Sequence, residues 1–349
     1  MAKTLYIFNP ENDMALADGK PGYTPPAQIQ QMRRELWWLP QWWAEEDDIV
    51  WNGEDRLILE DDTRIVPWGW SAALCHQLKQ AGVQESLLPS AEKLEQIRQL
   101  SHRQTAVALL KELQEQLPLD GHLVGESMLC HNMEEVEEAL NSLSPNPAST
   151  GEGNICALLK SPWSSSGRGI KTLSDSPLKG ENLGVLLWAK RIIKSQGSIV
   201  VEKFLHKVAD FALEFWLDGK GGVEYRGLSL FYTNERGAYL GNWVAPEGQK
   251  LAWLAQHVPL QYLQEIRRWW EERLKQFDYS GPVGIDMMLA HEPGDGERKA
   301  SLGICPCIEV NWRMTMGLVS CLMAEQGRYG RMVVEYIYGH YSAEIEAFS

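Results

Sequence analysis

Two stretches near the C-terminus, VGIDMML at residues 283–289 and CIEVNWRMTMG at residues 307–317, decide the fold. Each contains an apolar run of strand length interrupted by an acid, Asp286 in the first and Glu309 in the second. The acids are 23 positions apart (309 − 286), and the segment HEPGDGERKAS at 291–301 is polar and rich in turn formers, so it reads as a long hairpin loop. In such a hairpin the two acids can sit side by side. Strand side chains alternate, so Glu309 and Asn311 share one face and Arg313 follows two positions later. Three oxygen-bearing side chains on one sheet face suit a hard cation such as Mg²⁺ shared with nucleotide phosphates. Acids facing solvent beside a paired arginine are the competing arrangement. It is disfavoured because charges inside apolar strands cost free energy unless paired or metal-bound.

Upstream, LLKSPWSSSGRGIK at 158–171 puts Lys160 at the end of an apolar strand, then small residues, then a second strand. Gly167 and Gly169 allow successive N–H groups to face an anion, and Lys160 and Arg168 supply charge. The reading is a phosphate-covering hairpin, with an ordinary Ser/Gly turn as the alternative. Neither GxxxxGK[ST] nor GxGxxG is present. Next, SIVVEKFL at 198–205 runs an apolar strand into Glu202 and Lys203. A strand end of that kind, with a carboxylate and backbone groups beside an apolar slot, suits adenine and ribose.

The remaining pattern is mixed. Strands at 5–8, 49–51 and 64–66 alternate with helices at 28–43 and 71–81, which implies a small parallel α/β sheet. Pro40 should break or bend the first helix, and Trp37, Trp38, Trp42 and Trp43 around it read as core or as a partner surface. A helical block at 91–117, a strand at 122–128 and an acidic helix at 133–143 lead into the linker SLSPNPASTGEGN at 142–154. Beyond it come strands at 155–160 and 170–173, a helix at 182–195 and a strand at 198–204. Long β stretches at 211–217, 223–232 and 238–244 follow, with a helix at 260–277, so this half is α+β. The expected division is 1–98, 99–202 and 203–349.

With 349 residues, two or three packed subdomains are expected. A net charge of −14, from 33 basic and 47 acidic residues, argues against nucleic-acid and anionic-membrane surfaces, which need an extended basic patch. The start MAKTLYIFNPENDMALAD lacks a long apolar signal core, so cytoplasm is the expected location. The six cysteines have no CxxC spacing and read as buried thiols, with Cys305 and Cys307 placed for packing rather than for a metal.

Taken in order over roughly residues 101–317, these segments resemble the ATP-grasp superfamily, which includes D-alanine–D-alanine ligase, glutathione synthetase, biotin carboxylase and carbamoyl phosphate synthetase. The resemblance implies an ATP-grasp fold behind a small N-terminal parallel α/β domain. It implies ATP and Mg²⁺, or Mn²⁺, as cofactors. Lys160 would be the nucleotide-binding lysine, with Ser164, Ser165, Ser166, Gly167, Arg168 and Gly169 as the loop over the phosphates. Glu202, Lys203 and Leu205 would border adenine, and Asp210, in VADFALEF, would bind ribose. Asp286, Glu309 and Asn311 match the metal ligands, and Arg313 the phosphate-side arginine. Arg103, in LSHRQTAVALLKEL, lies where many members have a phosphate-reaching lysine; an ordinary surface arginine is the alternative.

The implied activity is ADP-forming: a carboxylate is activated as an acyl phosphate and joined to an amine or similar nucleophile. Arg313 and Lys160 would neutralise the transferring charge. The partners are then small carboxylate and amine substrates, and a homodimer is in keeping with many members. A phosphotransferase acting on a hydroxyl, or a non-catalytic nucleotide-binding scaffold, are the rival readings. One departure concerns Gly284, since D-alanine–D-alanine ligases carry a catalytic arginine two positions before the acid that matches Asp286. Arg226 and Arg236 are candidate substitutes or solvated strand charges. Two N-terminal loops qualify for substrate: 8–26, with Asn9, Glu11, Asn12 and Asp13, and 66–71, with Trp68 and Trp70. An amine near the acids of the first is one reading; helix capping by Asp13 is the favoured one.

Overall fold

The computed structural model describes residues 3–143, 155–164, 169–174, 180–234, 237–292 and 301–347. The N-terminal sheet has three parallel strands, β1 (Thr4–Ile7), β2 (Ile49–Val50) and β3 (Arg64–Pro67), in the order β2-β1-β3. Parallel neighbours need crossovers; α1 (Asn12–Asp18) and α2 (Ala27–Leu36) lie between β1 and β2, and α3 (Ala72–Ala81) follows β3. Leu5, Ile7, Leu74 and Leu78 form the core of this layer. The helix expected over 28–43 ends at Leu36. Only a 3-10 turn, Leu39–Trp42, follows, with Pro40 in its first turn, where the missing N–H leaves no bond broken. Trp38, Trp42 and Trp43 are half-buried and pack against residues of the C-terminal sheet.

The helical block is two helices, α4 (Ala91–Leu100) and α5 (Arg103–Gln116). His102 caps the second: its Nδ1 accepts from the Gln104 N–H at 2.9 Å. Burial pushes this imidazole down to about 4, so it stays neutral and available as an acceptor. The strand expected at 122–128 is displaced. Leu123 makes a lone parallel bridge to Ile304, and the strand proper, β4, is Ser127–Cys130.

After α6 (Met133–Leu143) come β5 (Ile155–Lys160), β6 (Ile170–Ser174), α7 (Gly180–Gln196) and β7 (Ile199–Lys203). These strands form an antiparallel sheet in the order β4-β7-β5-β6, with α6 and α7 packed on its apolar face.

The third sheet carries most of the molecule. Its strands are β8 (His206–Asp218), β9 (Val223–Thr233), β10 (Tyr239–Val244), β11 (Ser280–Glu292), β12 (Ser301–Asn311), β13 (Gly330–Ile337) and β14 (His340–Glu346). They lie antiparallel in the order β12-β11-β8-β9-β10-β13-β14. Helices α8 (Glu247–Leu254), α9 (Leu260–Leu274) and α10 (Met316–Glu325) connect or cover them. Alternation separates two faces. Phe211, Leu213 and Phe215 on β8, with Val283, Ile285 and Met287 on β11, pack with Leu113 and Trp270 in the largest core. Asp210 and Glu214, with Gly284 and Asp286, therefore fall on the opposite face. The elements α1, α8, α10, β13 and β14 are additions to the sequence expectation.

Candidate functional site

Strands β11 and β12 pair antiparallel with Asp286 opposite Glu309 and Gly284 opposite Asn311. The expected juxtaposition of the two acids is therefore present. The register shifts between Asp286 and Met288, next to Pro306 on the partner strand. A proline removes a ladder donor and is tolerated here because β12 is an edge strand. Asn311 Nδ2 donates to Asp286 Oδ2 at 3.1 Å. Burial, then the neighbouring Glu309 and Glu214, raise the Asp286 carboxyl well above the usual carboxylate range. A divalent cation would relieve that cost. Among the described residues no group of three His, Cys, Asp or Glu is placed for a metal. A cation here would take Asp286, Glu309 and the Asn311 amide oxygen, the sparse set that leaves positions for phosphate oxygens.

Basic side chains converge on this pair from two directions. Arg103, the first residue of α5, is 5% exposed and not a surface arginine. Its Nη2 lies 3.1 Å from Glu309 Oε1, its Nε donates to Ser161 O at 2.9 Å, and Nη2 also reaches Ser164 Oγ at 3.1 Å. The remaining nitrogen, Nη1, is buried without a hydrogen-bond partner. A buried guanidinium with an idle donor suits an anion. Arg313 is held from the other side: its Nε donates to Asp13 Oδ1 at 2.9 Å, Nη2 lies 2.9 Å from Asp13 Oδ2, and Nη1 donates to Met314 O.

The capping role expected for Asp13 is therefore corrected. Helix α1 has Glu11 at its N-cap with no side-chain capping bond, and Asp13 lies inside the helix, aimed at Arg313. Asn9, Glu11 and Asn12 are buried in structural duties. Asn9 Nδ2 donates to Gly69 O at 2.8 Å, Glu11 pairs with Arg33, and the Asn12 amide would lie 2.4 Å from any Cβ at position 69. That contact fixes glycine at the centre of the 66–71 loop.

Lys160, 3% exposed at the end of β5, pairs with Glu202 on β7. Lys203 pairs with Glu292, and Leu205 is buried. Asp210 accepts from Lys207 Nζ at 2.7 Å and from Thr233 Oγ1 at 2.6 Å. Gly169 returns against the chain, with the Ser161 N–H donating to its carbonyl at 2.9 Å; a Cβ there would stand 2.1 Å from Ser161 Oγ. Ser165, Ser166, Gly167, Arg168 and Arg236 lie outside the described residues. Arg226 pairs with Glu224 and Glu325, away from the site, which is the solvated reading. Cys305 and Cys307 are buried free thiols, raised by burial, as packing requires.

One cleft of about 1250 Å³ joins these groups. Its lining includes Lys160, Glu202, Lys203, Leu205 and Asp210, then Arg103, Asp286, Glu309, Asn311 and Arg313, then Asp13, Phe8 and Trp68 from the N-terminal part. Trp70 instead packs against the cores.

The sequence alone does not single out Glu214, although an acid in the apolar run FALEFWL is the same signal that marks Asp286. Glu214 is 1% exposed; Oε2 accepts from Thr315 Oγ1 at 2.8 Å and Oε1 from Ser229 Oγ at 3.2 Å. Burial, offset in part by those hydroxyls, pushes its carboxyl up to about 7. Its oxygens occupy the space beside Gly284 and Gly317, where a Cβ would come within 2.7 and 2.0 Å of them. An arginine at 284 has no room in this chain.

No protein-family model and no curated protein matches this sequence. Solved structures do. A biotin carboxylase β,γ-ATP complex from Campylobacter jejuni superposes with TM-score 0.50 at 11% identity, over 96% of this chain and 75% of its own. An N5-carboxyaminoimidazole synthetase from Staphylococcus aureus complexed with ADP gives 0.46 at 12%, over 97% and 83%. A biotin carboxylase domain of Hydrogenobacter thermophilus 2-oxoglutarate carboxylase, with MgADP, ADP and bicarbonate, gives 0.45 at 14%, over 69% of this chain and 51% of its own. The chain thus spans about half the length of that last neighbour. Among the described residues no helix is long and apolar enough to cross a membrane.

Proposed function

The chain has the ATP-grasp fold, and on that basis we propose that it binds Mg-ATP in the cleft and joins a carboxylate to an amine, releasing ADP and phosphate. The observation that carries the reading is the Asp286–Glu309 pair, in register on adjacent strands and flanked by Arg103 and Arg313. Asp286, Glu309 and Asn311 would hold Mg²⁺ or Mn²⁺, which supplies charge neutralisation at the phosphates when bound.

The chain's own residues do the rest. Lys160 and the idle Nη1 of Arg103 take phosphate oxygens, so Lys160 exchanges Glu202 for the nucleotide. Glu202, Lys203 and Leu205 border the base, and Asp210 accepts from ribose hydroxyls. Arg313, fixed by Asp13, faces the transferring group. A carboxylate oxygen attacks the γ-phosphorus as the bond to the ADP oxygen breaks, and ADP leaves with the electron pair. The amine then attacks the acyl carbon, the C–O bond to phosphate breaks, phosphate departs and the amine proton passes to solvent. Little side-chain proton transfer is required; positioning and electrostatics supply the rate.

Product analysis tests this reading. ADP and phosphate should appear together only when an acid and an amine are both present. A phosphorylated hydroxyl product would instead establish phosphotransfer.

A further inference from the structure

A cleft of about 1250 Å³ exceeds the roughly 300–1,000 Å³ of ordinary ligand sites, so nucleotide leaves part of it for the second substrate. The two halves differ in polarity: one is lined by paired charges such as Lys160–Glu202 and Lys207–Asp210, the other mainly by apolar side chains. On the nucleotide side stand Lys160, Lys171, Lys203 and Lys207, with Arg103 at the boundary. On the far side the wall is Phe8, Met32 and Trp68 from the N-terminal part, facing Met316 and Val334, all members of one apolar cluster. Arg313 is the cation among the described lining residues of that half, and Asp13 and Glu214 both lie near it.

Polar groups on the far side are already engaged. Asp13 is bound by Arg313, and both Glu214 oxygens accept hydroxyl donors. Asn242 accepts from the Tyr239 hydroxyl and donates to Leu230 O. A ligand there meets apolar surface, one arginine and two acids. A second anionic group on that ligand would be buried without a partner, which costs far more than an apolar group of the same size.

We propose that this half of the cleft takes a carboxylic acid with an apolar, uncharged body, its carboxylate turned toward Arg313 and its body against Phe8, Met32, Trp68, Met316 and Val334. The inference rests on the ligase reading for the fate of the carboxylate, and names the substrate class of that same site.

The test uses the full chain with Mg-ATP and hydroxylamine as the amine, which converts an acyl phosphate to a hydroxamate. Hexanoate and phenylacetate are compared with glutarate and adipate. Acid binding is also followed without nucleotide, by the fluorescence of Trp68 against a Trp68→Phe control. The apolar acids should be used at least about tenfold better than the dianions, the scale on which one unpaired buried group discriminates. Val334→Lys and Met32→Arg, which give a second carboxylate a partner, should abolish that preference while Mg-ATP affinity stays within about twofold, as expected for sites without shared partners. Preference for the dianions, or variants that leave the preference unchanged, overturns the proposal. If Mg-ATP does not bind at all, the ligase reading fails by itself. Acid binding then decides the pocket: saturable binding of hexanoate but not glutarate upholds it, and the reverse overturns it.

Discussion

Glu214 is a carboxyl sealed under a helix start, held by two hydroxyls and crowded by Gly284 and Gly317. Its folded value of about 7 lies above the unfolded range, so the native state binds the extra proton. Stability is then fully present at acid pH below the unfolded value and falls as pH rises through about 7. Glu214→Gln keeps the shape and removes the charge. The melting temperature of the parent should decline from pH 5 to pH 8, and that of the variant should decline less; equal slopes would mean that Glu214 ionises as freely as in water. The same reasoning shows why some residues are legible in the sequence. Asp286 and Glu309 stand out because an acid in an apolar strand needs a partner. Asp13 does not, because an acid at the start of a short helix has the composition of a cap, whereas its partner is 300 positions away.

Elements differ in legibility for reasons of burial. Helix α10, MGLVSCLMAE, is apolar nearly all round because it is buried between the sheet and the N-terminal part, so no stripe of period 3.6 marks it. Strand β14, HYSAEIE, is an edge strand with exposed and half-buried positions alternating, and its polar composition resembles a loop. The β11–β12 pair, by contrast, is largely buried, and its apolar runs announce it. Helix α10 also supports the site: the Thr315 hydroxyl accepts from the Leu318 N–H at 2.8 Å and donates to Glu214. Thr315→Ala removes both, and a cap alone is worth about 1–2 kcal/mol. A lowered melting temperature is expected, with Thr315→Ser restoring most of it; no change would show that the cap and the bond to Glu214 are idle.

At the scale of the molecule, the parallel N-terminal sheet and the antiparallel sheet meet at the cleft. They are tied there by Asp13 to Arg313 and by the tryptophan-rich core against β13 and β14. Neither part encloses the cleft alone, since the lining draws on both. The fold class and the central carboxylate pair are local patterns and could be read from the sequence. The closing contacts are long-range, and the identity of the far wall depends on which segments the packing brings together. Calorimetric titration of ATP into the full chain, with Mg²⁺ or with excess chelator, and repeated on Asp286→Asn, tests the nucleotide site directly. The expected result is saturable binding that needs the divalent ion and weakens at least about tenfold in the variant, the scale of a lost charged contact. Absence of binding, or binding equally strong in chelator and in Asp286→Asn, would contradict it.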